Sequence, residues 1–164
     1  MLKALSCADK LGIEVNDVAR QFAFKNGIRT VNDASEIEDN WADVIISDNA
    51  LEHTFCPFTE LRKLFDNLKT GGKMVFIIPH EKRRLWKQNN MDQHLYTWSP
   101  MCAGNLFTAA GFKVEEISSI ALWPPFSYAI KKYLGLKLFY LLGKIWTALF
   151  ADWYQIRVVA TKPT

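Results

Sequence analysis

The sequence predicts an α/β chain, a three-layer sandwich with a mostly parallel sheet and helices on both faces. Three observations carry this expectation. Apolar runs of strand length alternate with stretches whose apolar residues recur at helical spacing. The run at residues 73–79 is unbroken by polar alternation, the pattern of a parallel strand covered on both faces. Glycine, asparagine and proline punctuate the boundaries between the two kinds of stretch.

The elements follow in order. Residues 11–16 read as a short buried strand ending in polar residues. Asp17 is placed to cap a helix bearing Val18, Ala19, Phe22 and Ala23 on one side, and Asn26-Gly27 to stop it. Residues 28–31 form a short strand and 32–35 a loop. Residues 42–47 give a strong buried-strand signal that ends at Asp48-Asn49. Beyond Pro57, an amphipathic helix carries Leu61, Leu64, Phe65 and Leu68, and the 69–72 turn closes it. After the 73–79 strand, residues 80–97 read as a polar loop with some helix. Ser99-Pro100 opens the next helix as N-cap and first position, and Gly111 closes it. Residues 112–120 form a strand. Residues 126–150 are strongly apolar and helical, with a break expected near Gly135. Residues 154–161 are the last strand, with Ile156, Val158 and Ala160 sharing one face.

Composition narrows the class. The 164 residues suit a single domain, 1–164, and 49% hydrophobic content with 13% aromatics supports a packed core rather than disorder. The net charge of +3 permits an anionic partner without demanding one. Cys7, Cys56 and Cys102 stand far apart with no CxxC pair, which points to neither a cysteine zinc cage nor a redox motif. Scattered cysteines fit a reducing, cytoplasmic setting, and the first ten residues are too short in apolar content for a signal peptide.

The order of motifs is similar to that of class I S-adenosylmethionine-dependent methyltransferases. Residues 42–53, ending Leu51-Glu52-His53, resemble the fourth motif of small-molecule members. Leu68-Lys69-Thr70-Gly71-Gly72-Lys73 resembles the turn before the fifth strand, and Gly111-Phe112 fits the start of a later one. The resemblance implies a Rossmann-like fold and S-adenosylmethionine as cofactor. It also gives roles to positions. Glu14 answers the ribose hydroxyls, and a carboxylate suits a diol because it offers two acceptor oxygens. Asp33 and Ala34 flank the adenine. Asp48, Asn49 and Ala50 line the methionine end. His53 and His94 are candidate general bases beside the acceptor, since imidazole titrates near neutrality.

The family pattern opens with a strand and a glycine-rich loop. Gly12 is the only glycine before Gly27, so no such loop can be placed, and the first residues resemble the tail of the helix that follows it. The expectation is an N-terminally incomplete domain. The strands on either side of the missing one either pair with each other or expose their edges.

The function expected is methyl transfer to a small molecule, a sugar or lipid intermediate. The alternative is a non-catalytic remnant or binding module of the same fold. A nicotinamide-dependent oxidoreductase also needs a glycine loop and leaves Leu51-Glu52-His53 unexplained. Residues 123–150 are read as a helical insertion. Lysines at 131, 132, 137 and 144 make it a poor membrane span. It suits either a peripheral membrane contact and lid for an apolar acceptor, or packing against the domain or a second subunit. The basic run at 81–87 is short and lacks a recognised binding module, so nucleic acid is not an expected partner.

Overall fold

The computed structural model describes residues 4–82, 85–120, 126–150 and 153–164. The calls on Arg83, Arg84 and the 123–125 segment lie outside these residues. Among the described residues, six strands and four α-helices follow in the order β1 (Leu11–Ile13), α1 (Asp17–Lys25), β2 (Arg29–Val31), β3 (Ala42–Asp48), α2 (Pro57–Asn67), β4 (Leu68–Glu81), α3 (Pro100–Ala109), β5 (Lys113–Ile120), α4 (Ser127–Phe150) and β6 (Trp153–Thr161). Residues 5–10 are irregular, not the tail of a helix, and no helix forms within the described part of 80–97.

The main sheet has the order β3-β4-β6-β5. β3 and β4 are parallel, joined through α2, while β6 runs antiparallel to both β4 and β5. The sheet is therefore mixed, a Rossmann-like arrangement with its last strand reversed. β1 and β2 pair in parallel as a separate two-stranded sheet. Among the described residues, β1, which leads to Glu14, and β3, which ends at Asp48, do not pair with each other, and each keeps one unpaired edge.

Local chemistry explains the boundaries. Asn16, one residue before the expected Asp17, caps α1: its side-chain oxygen accepts from the backbone N–H groups of Val18 at 2.9 Å and Ala19 at 3.1 Å. Ser99 caps α3 by accepting from Cys102 N–H at 3.1 Å, with Pro100 at the first helical position. α2 ends at Asn67, before the Gly71-Gly72 turn that the sequence suggested. The backbone from Leu68 onward is drawn into the sheet, where Gly71 N–H bonds Lys162 O at 2.9 Å and Lys162 N–H bonds Gly72 O at 3.1 Å. α4 breaks at Gly135, whose φ of 80° and ψ of 169° are not helical.

The core lies between β4, β6 and the helices α2 and α3. Met74, Phe76 and Ile78 alternate inward from β4, matched by Ile156, Val158 and Ala160 of β6. Leu61, Leu68, Phe107 and Phe112 fill the space above them, with Phe76 and Phe107 edge to face at 5.3 Å. Val75 and Ile77 on the other face of β4 are only half-buried. β3 is not the fully buried strand its composition suggested: Val44 is 55% exposed and Ile46 39%. Val44 and Ile46 share the face turned away from the core, while Ile45 on the other face packs against it. Helix α1 buries no residue and leaves Val18 and Phe22 in solvent.

Candidate functional site

Glu14, Asp33, Ala34, Asp48, Asn49 and Ala50 fall at or just beyond the carboxyl ends of β1, β2 and β3, where ligands of α/β sheets bind, with His53 in the turn that follows. Glu14 follows β1. Its backbone N–H bonds Val31 O at 3.0 Å, and its carboxylate accepts from Asn16 N–H at 2.9 Å. Asp33 and Ala34 follow β2. Asp33 caps a 3₁₀ turn by accepting from Ser35 N–H at 2.8 Å, and it pairs with Lys63 Nζ at 2.9 Å. These bonds, from Ser35 first and Lys63 second, hold its carboxyl well below the usual carboxylate range. Ala34 is buried.

Asp48 is the last residue of β3. Asn49 then turns the chain through a left-handed conformation, φ 49°, which asparagine tolerates better than most residues. Its N–H bonds Ile77 O at 2.9 Å, and its side-chain amide donates to Asp48 Oδ1 at 2.9 Å. Ala50 leads into a 3₁₀ turn over Leu51–His53. Leu51 anchors that turn in the core and Glu52 enters with it, while His53 remains exposed.

The loop after β4 folds back over this turn. Leu95 N–H bonds Glu52 O at 3.0 Å, Trp98 N–H bonds Pro79 O at 3.0 Å, and Tyr96 donates to Phe55 O at 3.0 Å. His94 is thereby set beside His53, with ring centroids 5.0 Å apart and planes at 73°. His94 Nε2 lies 3.8 Å from Glu52 Oε1, and His94 Nδ1 lies 3.2 Å from Glu81 Oε1. The structure thus brings His53 and His94 together.

The sequence reading missed the roles of Glu52 and Glu81. Glu52 is 0% exposed, and neither carboxylate oxygen has a hydrogen-bond partner among the described residues. Burial pushes its carboxyl up. Its own backbone N–H and then the two imidazoles pull the other way, and Asp48 adds to the rise. The signal available in the sequence was its place between a core leucine and a histidine in a short turn.

The chain matches no family profile and no curated protein sequence. It does resemble solved structures. The [4+2]-cyclase SpnF superposes with a TM-score of 0.65 at 18% identity, over 95% of this chain and 67% of that one. A Bacillus halodurans protein described as a methyltransferase gives 0.61 at 16% identity, over 96% and 84%. Haemonchus contortus phosphoethanolamine N-methyltransferase 2, in complex with S-adenosyl-L-methionine, gives 0.61 at 16% identity, over 94% and 43%. The chain has the class I methyltransferase fold. It spans less than half the length of the Haemonchus enzyme.

Proposed function

We propose that this chain binds S-adenosylmethionine and transfers its methyl group to a small-molecule acceptor, a sugar or lipid intermediate. The observation that carries the reading is the placement of Glu14, Asp33-Ala34 and Asp48-Asn49-Ala50 at the ends of β1, β2 and β3 in turn, with His53 and His94 next to the last of these. The cofactor supplies an electrophilic methyl on a sulfonium. The donor set fits it. The Glu14 carboxylate accepts one backbone bond and retains lone pairs for a diol. Asp33 is more committed, since Lys63 and Ser35 already occupy it, so it acts through residual acceptor capacity. Asp48 and Asn49 offer an acceptor and a donor beside the reaction centre. His53, exposed at the end of its turn, receives a proton when the acceptor must lose one, and His94 positions the acceptor.

The apolar character of the acceptor is supported by α4. Leu134, Leu136, Tyr140, Leu141, Ile145 and Leu149 are all about half exposed or more, among four lysines and no acidic residue. Beyond the Gly135 break, fifteen helical residues extend about 22 Å, short of the roughly 30 Å of a bilayer core. An anionic lipid surface, met side-on, suits that helix.

Isothermal calorimetry with S-adenosylmethionine tests the proposal. One saturable site is expected, weakened about tenfold or more by Glu14→Ala, as for loss of a charged hydrogen-bond acceptor. A folded sample that takes up none sinks it. The alternative, a non-catalytic module of the fold, draws on one observation: β1 and β3 do not pair, so no ladder sets Glu14 and Asp48 in register. Fold alone does not choose between them, as the cyclase among the similar structures illustrates.

A further inference from the structure

We propose that Glu52, His53 and His94 form a binding site for a first-row divalent metal ion, with open positions facing the acceptor. The three residues each offer one ligand atom, and those atoms lie within 4.8 Å of one another. Two imidazoles and one carboxylate on one side of an ion are a recurrent donor set that leaves coordination positions free. The set mixes a buried carboxylate, a half-buried imidazole and an exposed one, so an ion held there is fixed from below and open above.

The second observation is the state of Glu52. A fully buried carboxyl group with both oxygens unpartnered either stays protonated or gains a cation beside it, because an isolated buried anion is strongly disfavoured. His94 Nε2 points toward it at 3.8 Å, too long for a hydrogen bond. With metal–nitrogen and metal–oxygen distances of about 2.0–2.2 Å, two ligand atoms on one tetrahedral ion stand roughly 3.4 Å apart. The gap between Glu52 and His94 therefore has nearly the width an ion requires. Closing a separation of up to 4.8 Å to that width takes roughly 1.4 Å of movement, which the exposure of His53 at the end of the turn allows.

The third observation is Glu81. Metal-ligating histidines usually give their other ring N–H to a carboxylate, which fixes the ring and raises its basicity. Glu81 Oε1 stands 3.2 Å from His94 Nδ1, on the side of the ring away from Glu52. The contact lacks hydrogen-bond geometry, so a small rotation of the His94 ring on binding an ion would complete the carboxylate–imidazole–ion arrangement, with the β4 terminus supplying its outer member.

The ion site stands on this cluster alone; its use rests on the methyl-transfer reading. There, the ion binds an acceptor hydroxyl, lowers its pKa and holds its oxygen in line for attack. His53 as a ligand then replaces His53 as a base, and the proton leaves to solvent.

Cobalt(II) is the probe, because its visible absorption reports coordination directly. Titration of the intact chain is expected to show one equivalent of Co²⁺ bound, with absorption bands characteristic of mixed nitrogen and oxygen ligands. His53→Ala and His94→Gln are each expected to weaken that binding at least tenfold, with the fold checked by circular dichroism. Since His53 is exposed, its variant keeps the fold even if the His94 variant does not. No saturable Co²⁺ binding, or binding that survives His53→Ala unchanged, overturns the proposal. S-adenosylmethionine binding measured on the same samples separates the two readings: cobalt without cofactor refutes methyl transfer and leaves the ion site, and cofactor without cobalt does the reverse.

Discussion

Lys63 Nζ on α2 lies 2.9 Å from Asp33 Oδ2 beyond β2, across thirty positions of sequence. With Asn67 donating to Ile37 O at 2.9 Å, this pair ties the two-stranded sheet to the helix that packs on the four-stranded one. Among the described residues no strand pairing joins the two sheets, and these side-chain links help hold the segment that carries Glu14 and Asp33. Both partners are about a third exposed, and the pair contributes under about 1 kcal/mol.

Lys63→Met is expected to leave global unfolding little changed while raising amide exchange at residues 11–36, read by hydrogen–deuterium exchange. The pH dependence has a definite sign. The folded Asp33 carboxyl is held below its ordinary value of 3.8, so its contribution is complete above that value and is lost as pH falls below it. Protection factors in this segment, exchange referred to the intrinsic rate at each pH, are expected to fall on acidification in the parent chain and to be nearly independent of that acidification in Asp33→Asn. An equal acid response in both would remove Asp33 as the cause.

The two glycines of the 69–72 turn do different work. Gly71 has φ +75° with open space around the position of a Cβ, whereas a Cβ on Gly72 would stand 2.7 Å from the backbone oxygen of Lys69. Gly71→Ala is expected to destabilise by about 1–2 kcal/mol from backbone strain alone. Gly72→Ala is expected to destabilise more, because a main-chain carbonyl has to move. Denaturant melts of the two variants give the ranking, and the reverse order would show that the turn relaxes at Lys69.

Much of this architecture is legible locally. Ser99-Pro100, Asn26-Gly27 and the Gly135 break act through residues a few positions away, and the structure keeps all three. The inward face of β6 is visible as a period of two. What the sequence hides depends on neighbours. The apolar run of β3 reads as buried, yet Val44 and Ile46 are exposed because they share the face turned away from the core, and burial requires a layer packed on that face. The reversal of β6 depends on where α4 returns the chain, which no local pattern records. At the candidate site, the histidines stand out by chemistry, but Glu52 looks like a surface acid until the 3₁₀ turn carries it inside.

Removing a packed ring from the core sets the scale of its stability. Phe107 is fully buried and meets both Phe76 and Phe112 through its ring. Phe107→Ala is expected to lose about 3–5 kcal/mol in denaturant unfolding. A loss under ~1 kcal/mol would mean that α3 does not close the core over β4.

The open edge of β3 presents backbone hydrogen-bonding groups between exposed Val44 and Ile46. Such edges recruit other strands, and a charge placed on them blocks the contact. Val44→Lys is expected to change unfolding free energy by no more than about 0.5 kcal/mol, as for exposed positions generally. It is also expected to shift light scattering toward the monomer at high concentration. Unchanged association in this variant would move the source of self-contact to α4.

For α4 the prediction separates lipid from protein partners. Lys137 and Lys144 lie one heptad apart on a helix with no acidic residue, beside exposed Tyr140 and Leu141. Each lysine near an anionic surface is worth about 1 kcal/mol. Flotation with vesicles of phosphatidylglycerol and phosphatidylcholine is expected to carry the chain upward, and vesicles of phosphatidylcholine alone to carry much less. Lys137→Glu with Lys144→Glu reverses both charges, so partitioning to the anionic vesicles is expected to fall by more than tenfold. High salt is expected to reproduce part of that fall, because screening removes the attraction but leaves the apolar contact. Binding indifferent to both lipid charge and the lysine changes would assign the apolar face of α4 to another protein surface.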